Sequence, residues 1–286
     1  MDNSLWEIKK LVKGIPAERL LEIARRDQPK YAQEYIGSGQ LSVEKKSDGT
    51  KVTPTDREME RVLIDYFKAP PLLQLFSIKG EEGGEQAGEE KPFKIIIDPL
   101  DGTSSFIKGK DTWGTMVGLC DSEGRLIYSW AVVSTGEIFQ SSDATKSKLP
   151  SFDERSITRP LKIDVYDYGA GSAEKFPSAF KQPVEVTSMP SAVSAGWELW
   201  NDRLDGLLWL PSNAGKKNYP DYDLVFLDAL KQQGWQIILG KTAGASGVEM
   251  GVIAPTLEDA QLLWKTGLEI INTGKTYEDV RDLNIS

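Results

Sequence analysis

The sequence predicts a layered α/β protein with an α+β first half and an α/β second half. Three observations predict it: apolar residues recur at helical spacing before position 70, three short alternating runs lie within 115–140, and strand-like and helix-like segments alternate after position 160. The chain has 286 residues, of which 40% are hydrophobic, so it can bury a large core. We predict two domains, 1–150 and 151–286, joined through the polar stretch 141–160.

The first half begins with helices. Leu20, Leu21, Ile23 and Ala24 mark one apolar helical face. The turn-forming residues 47–49 predict a hairpin, and Thr55 with Glu58 three residues later predicts a capping box that starts the next helix. The glycine- and glutamate-rich stretch 80–90 is typical of an exposed loop.

Strands dominate the remainder of the first half. Residues 94–97 form a short apolar run that predicts a buried strand ending at Asp98, and 115–140 predicts a β-meander. In the second half we predict strands over 161–165, 206–210, 236–239 and 251–254. Helices are predicted over 191–201, 224–233 and 257–273.

The composition excludes several kinds of chemistry. The chain contains no histidine, which rules out a Ser-His-Asp triad, a histidine base and a histidine-rich metal site. Cys120 is the only cysteine, so neither an internal disulfide nor a multi-thiolate zinc site can form. A net charge of −9 disfavours nucleic acid as a partner. The sequence has no long apolar run and no signal-peptide pattern, so we expect a cytoplasmic protein without a membrane span.

Two aspartates follow the predicted apolar strand. Asp98 and Asp101 are three residues apart and precede Gly102. A turn here can direct both carboxylates and an intervening carbonyl into one space, where repulsion between the carboxylates favours a bound hard cation such as Mg²⁺. The backbone N–H groups of residues 102–105 then open a predicted helix and suit a phosphate. The alternative is an ordinary Asp-Gly turn.

The run from Asp98 to Gly109, Asp-Pro-Leu-Asp-Gly-Thr-Ser-Ser-Phe-Ile-Lys-Gly, resembles the first signature of the inositol monophosphatase-like superfamily of Mg²⁺-dependent, lithium-sensitive phosphatases. Lys46-Ser47-Asp48-Gly49 followed by Val52-Thr53-Pro54-Thr55-Asp56 is similar to its lysine-turn and Val-Thr-x-x-Asp segment, and Gly80-Glu81-Glu82 to its Gly-Glu-Glu loop. The resemblance covers most of residues 40–140 and, more loosely, the second half. It implies a sugar-phosphatase fold of alternating helix and sheet layers.

The resemblance also implies roles for individual residues. Two or three Mg²⁺ ions would be held by Glu81, Asp98, the carbonyl of Leu100, Asp101 and Asp223. Thr103 would hydrogen-bond the attacking water, and Glu81 and Asp98 would be the other catalytic residues. The substrate would be bound by Asp101, Gly102, Thr103, Ser104 and Asp223. The implied reaction is in-line attack of water on phosphorus without a covalent enzyme intermediate.

The sequence departs from the family pattern at two of these positions. The acidic loop offers Glu82 as an alternative to Glu81. The second signature survives only as Pro220-Asp221-Tyr222-Asp223, so Asp221 is an alternative to Asp223. We favour Glu81, and we favour Asp223 because a helix through it would place Phe226, Leu227 and Leu230 on the same face.

The expected substrate is a small phosphorylated metabolite, an inositol or sugar monophosphate. The alternatives are fructose 1,6-bisphosphate, adenosine 3′,5′-bisphosphate, or a protein that binds metal and regulates without turnover. A haloacid-dehalogenase-type phosphatase is disfavoured because the aspartates are spaced Asp-x-x-Asp rather than Asp-x-Asp. The resemblance further implies a homodimer.

Overall fold

The structure is a computed structural model that describes residues 3–37, 43–46, 50–69, 73–85, 91–146, 148–166, 176, 180, 182–210, 221–243, 245, 248–271, 277–279 and 283. The statements below concern these residues. None of the helices among them combines the length and the apolar composition that crossing a bilayer requires.

The first half of the chain places four helices around a six-stranded sheet. The helices are α1 (Asn3–Lys13), α2 (Ala17–Gly37), α3 (Pro54–Lys68) and α4 (Thr103–Ile107). A two-stranded ribbon consists of β1 (Glu44–Lys45) and β2 (Lys51–Val52). The sheet strands are β3 (Phe76–Gly80), β4 (Gly84–Glu85), β5 (Phe93–Asp101), β6 (Gly114–Asp121), β7 (Leu126–Val133) and β8 (Ile138–Gln140).

This first sheet has the order β4-β3-β5-β6-β7-β8. Only β3 and β5 pair in parallel, and β5 through β8 form the predicted antiparallel meander. The central strand β5 therefore has a neighbour on each side, and Asp98 near its end is buried.

The second half contains a second six-stranded sheet. Its helices are α5 (Phe152–Ser156), α6 (Ala192–Trp200), α7 (Leu227–Gln233) and α8 (Leu257–Ile271). Its strands are β9 (Leu161–Tyr166), β10 (Val184–Thr187), β11 (Gly206–Trp209), β12 (Gln236–Lys241), β13 (Met250–Ala254) and β14 (Glu278–Asp279). The order is β10-β9-β11-β13-β12-β14, with β10, β9 and β11 parallel and the others antiparallel.

Alternating side chains on the two sheets define three buried cores and hence the layers. In β6, Val117 and Leu119 point to a core shared with α1, α2 and α3, whereas Met116 and Cys120 point to a core shared with α6 and α7. The second sheet closes this middle core with one face and packs its other face on α5 and α8. The predicted alternation of helix and sheet layers is confirmed.

The capping box predicted at Thr55 is wrong by two residues. Helix α3 begins after Thr53, whose backbone N–H and side chain pair with Asp56, and Pro54 occupies the first helical position. Thr55 is buried inside the first turn and donates to Asp27 at 2.9 Å. Proline suits this first position because its missing N–H would have no intrahelical partner.

The exposed loop predicted over 80–90 is wrong for residues 80–82, whereas Gly83 is exposed in a turn. Gly80 ends β3 and is buried, and the side chains of Glu81 and Glu82 are only 15% and 5% exposed. Residues 86–90 and the predicted hairpin turn 47–49 lie outside the described residues. The pairing of β1 with β2 agrees with that hairpin.

The second half contains elements that the sequence did not indicate. These are α5, β10 and β14. The helix predicted from 224 begins only at Leu227, after a 3₁₀ turn over Asp221–Leu224. Asp223 consequently does not lie on α7, and the argument from a shared helical face does not hold.

Candidate active site

A β-bulge brings Asp98 and Asp101 together. Successive side chains on a strand alternate between its faces, so residues three apart normally point in opposite directions. The pairing of β5 with β6 shifts register between Asp98 and Asp101, which removes this restriction. The carboxylate of Asp98 accepts the N–H of Leu100 at 3.1 Å within the bulge. The predicted turn is thus an irregular strand end.

Asp223 completes a cluster of three carboxylates. One oxygen from each of Asp98, Asp101 and Asp223 lies within 4.8 Å of the others. The alternative residue, Asp221, points elsewhere and pairs with Lys79 at 2.7 Å. Of the two aspartates considered from the sequence, the structure therefore brings Asp223 to the cluster.

The cluster lies in a cavity of about 310 Å³ between the two halves of the chain. All the predicted site residues line it: Glu81, Asp98, Leu100, Asp101, Gly102, Thr103, Ser104 and Asp223. The second half contributes a wall of Asp164, Tyr166, Pro190, Ser191, Ala192, Ala195, Leu207, Trp209 and Tyr222, and Thr50 and Lys51 complete the lining.

Carboxylates packed this closely hold protons strongly. Burial, followed by the charges of Glu81, Asp101 and Asp223, raises the pKa of Asp98 well above its usual value. Burial also raises the pKa of Asp101 to about 7, although the backbone N–H of Val193 donates to it and opposes the shift. Without a cation, a fully ionised cluster is therefore unfavourable at neutral pH.

Lys46 bridges the two glutamates of the acidic segment. Its ammonium lies 2.8 Å from Oε1 of Glu81 and 2.7 Å from Oε1 of Glu82. Burial lowers the pKa of Lys46, but these two hydrogen bonds raise it on balance. Glu81 lines the cavity and its carboxyl contacts Asp98, whereas Glu82 is absent from the lining, so the structure directs Glu81 toward the cluster.

A buried glutamate on α3 holds the backbone of this segment. Glu60 is 3% exposed, and its Oε2 accepts the N–H of Glu82 at 2.8 Å. A Cβ atom on Gly80 or Gly83 would collide with the Glu60 carboxyl group. A larger residue at either position would therefore require the Glu60 carboxyl group to shift.

Thr103 and Asp56 form a hydrogen-bonded pair at the edge of the cluster. The Thr103 hydroxyl lies 2.9 Å from Oδ1 of Asp56 and 3.0 Å from the carbonyl oxygen of Leu100. A hydroxyl has one proton and therefore donates to one acceptor at a time. Burial raises the pKa of Asp56 to about 6, against the hydrogen bonds from Thr53 and Thr103.

Gly102 allows the chain to leave β5 and enter α4. Its φ of +85° lies in the left-handed region that side chains with Cβ disfavour. An added Cβ would also lie 2.6 Å from the carbonyl oxygen of Thr112 and 3.0 Å from Cβ of Ser191. The positions of Thr103 and Ser104 in the cavity thus depend on glycine at this position.

The family model described as the inositol monophosphatase family matches residues 20–148. This segment includes the bulge, the acidic segment, Thr103 and Asp56. This part of the chain therefore matches the inositol monophosphatase-like superfamily that the sequence resembles.

Two curated relatives match the chain over part of its length. The chain is 28% identical over 178 residues to the Nus factor SuhB of Vibrio cholerae, an alignment that covers 61% of this chain and 62% of the relative. It is 29% identical over 176 residues to the histidinol-phosphatase of Streptomyces coelicolor, with 59% and 56% covered. The chain thus spans about three fifths of the length of these two curated relatives.

A solved structure shows the same fold across both halves. The IMPase of Thermotoga maritima superposes with a TM-score of 0.63 over 88% of this chain and 96% of that protein, at 17% sequence identity. At this identity the likeness concerns the fold alone. The sugar-phosphatase fold expected from the resemblance is confirmed, including its second half.

The donor set of this cavity fits a hard divalent cation. Asp98, Asp101 and Asp223 offer carboxylate oxygens, Leu100 offers a carbonyl oxygen to the same cavity, and the chain has no histidine. Mg²⁺ prefers such oxygen ligands, and its charge would offset the repulsion that raises the pKa of Asp98.

Sequence reasoning missed some residues that shape the site. Lys46 and Asp56 were noticed within motifs but received no role, and Glu60, Asp164 and Val193 were not singled out as site residues. The signals were weak, because a charged residue on a helix and an aspartate in an apolar strand are common. Their burial, at 1% for Asp56 and Asp164, is visible only in the fold.

Proposed function

We propose that this chain is a Mg²⁺-dependent phosphomonoesterase that hydrolyses a small phosphorylated metabolite with water as the nucleophile. The observation that carries the proposal is the cluster of Asp98, Asp101 and Asp223 beside Thr103 in one cavity. One of the two curated relatives is a phosphatase and the other a Nus factor, so their names do not decide whether this chain is an enzyme.

In this proposal Glu81, Asp98, the Leu100 carbonyl, Asp101 and Asp223 hold two or three Mg²⁺ ions. When bound, Mg²⁺ lowers the pKa of water and offsets negative charge on the phosphate oxygens. Lys46 holds the Glu81 carboxylate in place through its 2.8 Å contact. Asp101 is oriented by the N–H of Val193 at the start of α6.

Thr103 positions the nucleophile. When its hydroxyl donates to Asp56, its oxygen lone pairs face a water molecule in the cavity and accept a hydrogen bond from it. The water oxygen attacks phosphorus and gives one proton to solvent, the ester P–O bond breaks, and the leaving oxygen takes a proton from solvent, so the products are inorganic phosphate and an alcohol. Gly102, Thr103 and Ser104 bind the phosphate group from the first turn of α4.

The first experiment measures phosphate release from a panel of esters with Mg²⁺, with chelator and with added Li⁺. The panel contains inositol 1-phosphate, fructose 1,6-bisphosphate, adenosine 3′,5′-bisphosphate and, from the name of one relative, histidinol phosphate. We expect Mg²⁺-dependent release that Asp98→Asn lowers by at least about 10²-fold. Release that persists in chelator or survives this substitution would contradict the proposal.

The matched control is Asp65→Asn. Asp65 is exposed on α3 and pairs with Arg61 at 3.5 Å, so the same chemical change occurs far from the cavity lining. The control variant should retain wild-type release. Melting curves of both variants show whether any loss reflects unfolding.

A second candidate function is regulation without turnover. One observation favours it: the Vibrio cholerae relative is called a Nus factor. It predicts Mg²⁺ binding by calorimetry together with no phosphate release from any ester of the panel. The presence of Thr103 beside Asp56 favours the hydrolase, because a binding-only site has no need to orient water.

The oligomeric state, the location and the domain boundary also belong to this proposal. The homodimer and the cytoplasmic location remain predictions from the sequence. The boundary near residue 150 between two domains also remains a proposal, to be checked by limited proteolysis within 141–160.

A further inference from the structure

The cavity has two walls of different character. The wall from the first half is acidic and contains the carboxylate cluster. The opposite wall comes from the second sheet, where Tyr166, Leu207 and Trp209 present aromatic and aliphatic surface around one buried acid, Asp164. A phosphate ester bound at the carboxylate cluster would have this second wall on the other side of its cavity.

Strand register makes this wall a compact patch. β9 and β11 are parallel, with Asp164 opposite Leu207 and Tyr166 opposite Trp209. Residues two apart on a strand share a face, so these four side chains form a two-by-two array on one side of the sheet. Tyr222, from the turn that carries Asp223, borders the same cavity.

The largest member of the array is firmly placed. Trp209 is 4% exposed and packs against Phe226 with ring centroids 6.2 Å apart. Its six-membered ring lies over Gly251 on β13, where an added Cβ would collide with it. The small part of Trp209 that remains exposed is therefore a fixed apolar edge of the cavity, and the partly exposed ring of Tyr166 supplies the surface on which a planar ring can stack.

Asp164 adds a specific polar group to this apolar wall. It is 1% exposed, and the N–H of Met189 at 2.7 Å and the Thr187 hydroxyl at 3.3 Å both donate to its Oδ1. Within the described residues, no donor bonds its other oxygen, Oδ2. Asp164 lines the cavity, and a buried carboxylate oxygen without a donor among the described residues favours a ligand that brings an N–H group.

We infer that the leaving group of the substrate carries a planar nitrogen-containing ring, which stacks on Tyr166 beside the edge of Trp209 and donates an N–H to Asp164. This inference rests on the proposed function and narrows its substrate class. A polyol ring would place its hydroxyl groups against Leu207 and the two aromatic rings, where most of them lose hydrogen bonds to water.

The test compares kcat/KM for four esters. Histidinol phosphate and adenosine 3′,5′-bisphosphate carry planar rings with N–H donors, phenyl phosphate carries a planar ring without one, and inositol 1-phosphate carries a polyol ring. We expect the two nitrogen-ring esters to exceed inositol 1-phosphate by at least about tenfold, the usual scale of ring stacking on aromatic side chains. Phenyl phosphate should fall between the two groups.

Two variants separate stacking from the polar contact. Tyr166→Leu should lower the preference for all three ring esters over inositol 1-phosphate. Asp164→Asn should lower the preference for the nitrogen-ring esters over phenyl phosphate. Tyr35→Leu is the matched control, since Tyr35 is 44% exposed on α2 and does not line the cavity, so both preferences should remain.

The outcomes distinguish this inference from the proposed function. If inositol 1-phosphate is hydrolysed as well as the ring esters, the inference is overturned while the phosphomonoesterase proposal stands. If no ester is hydrolysed, the phosphomonoesterase proposal fails. The preference for a nitrogen-containing ring is then tested by calorimetry, which measures the binding of histidinol, adenosine and inositol. Binding of the two ring compounds that weakens in Asp164→Asn would support the inference, and equal or absent binding would overturn it.

Discussion

Lys79 and Asp221 form an ion pair that connects the two halves of the site. The ammonium lies 2.7 Å from Oδ2 of Asp221, whose side chain is only 7% exposed. Lys79 stands two residues before Glu81, and Asp221 stands two residues before Asp223. The pair therefore fixes the distance between two segments that each deliver a carboxylate to the cavity.

Replacing Lys79 should weaken both stability and metal binding. Lys79→Met leaves a buried carboxylate without its cation, so we expect a loss of about 1–3 kcal/mol in the free energy of unfolding. Urea denaturation measures this loss, and calorimetry should show weaker Mg²⁺ binding. Lys79→Met combined with Asp221→Asn should recover part of the stability. Unchanged Mg²⁺ affinity in the single variant would show that the pair does not position Asp223.

Thr103 provides a test of water positioning. Thr103→Val removes the hydroxyl while retaining the shape, and we expect phosphate release to fall by about 10²-fold or more. Thr103→Ser keeps the hydroxyl near Asp56 and should retain most of the activity. Both variants should melt close to the wild-type temperature. Similar activities for Val and Ser at this position would exclude a role for the hydroxyl.

Gly102→Ala should destabilise the protein and abolish activity together. The positive φ and the approach to the Thr112 carbonyl oxygen together predict a loss of about 2 kcal/mol or more. Gly37→Ala is the matched control, because an added Cβ at Gly37 meets nothing within 4 Å at the exposed end of α2. It should change the stability by less than about 1 kcal/mol. Denaturation curves of the two variants check the contrast.

The Mg²⁺-free protein should become more stable as the pH falls from 8 toward 5. Burial raises the pKa of Asp56 and Asp164 to about 6 and of Glu82 and Asp101 to about 7. A folded-state pKa above the unfolded value means that the folded protein binds more protons. This contribution to stability is therefore present at low pH and is lost as the pH rises through 6–7.

Melting temperature as a function of pH measures this effect. We expect an increase of at least about 3 °C between pH 8 and pH 5.5 in chelator. Acids with lowered pKa values, such as Asp121 and Asp143, respond only below their ordinary pKa of 3.8 and leave this window unaffected. Added Mg²⁺ should raise the melting temperature at pH 8 and reduce the pH dependence. A melting temperature that falls on acidification from pH 8 would contradict the prediction.

Much of the fold followed from local patterns. The antiparallel meander, the strands of the second half and the layered arrangement were predicted, because alternation and helical spacing report which face of an element is buried. Local patterns misplaced the start of α3 at Thr55, since Thr53 and Thr55 are equally plausible caps and only Asp56 decides between them. They also described Glu81 and Glu82 as exposed, because acidic residues with glycines usually are.

The sequence by itself determined the ligand chemistry of this protein: without histidine and with a single cysteine, a metal site must be built from oxygen atoms, and Asp98, Asp101 and Thr103 carry the superfamily signature. Only the tertiary structure decided that Asp223 joins Asp98 and Asp101, and that Tyr166 and Trp209 line the same cavity. The reason is physical. Adjacent residues are constrained by local backbone geometry, whereas the approach of segments more than 60 residues apart depends on how two sheets pack on a common layer of helices.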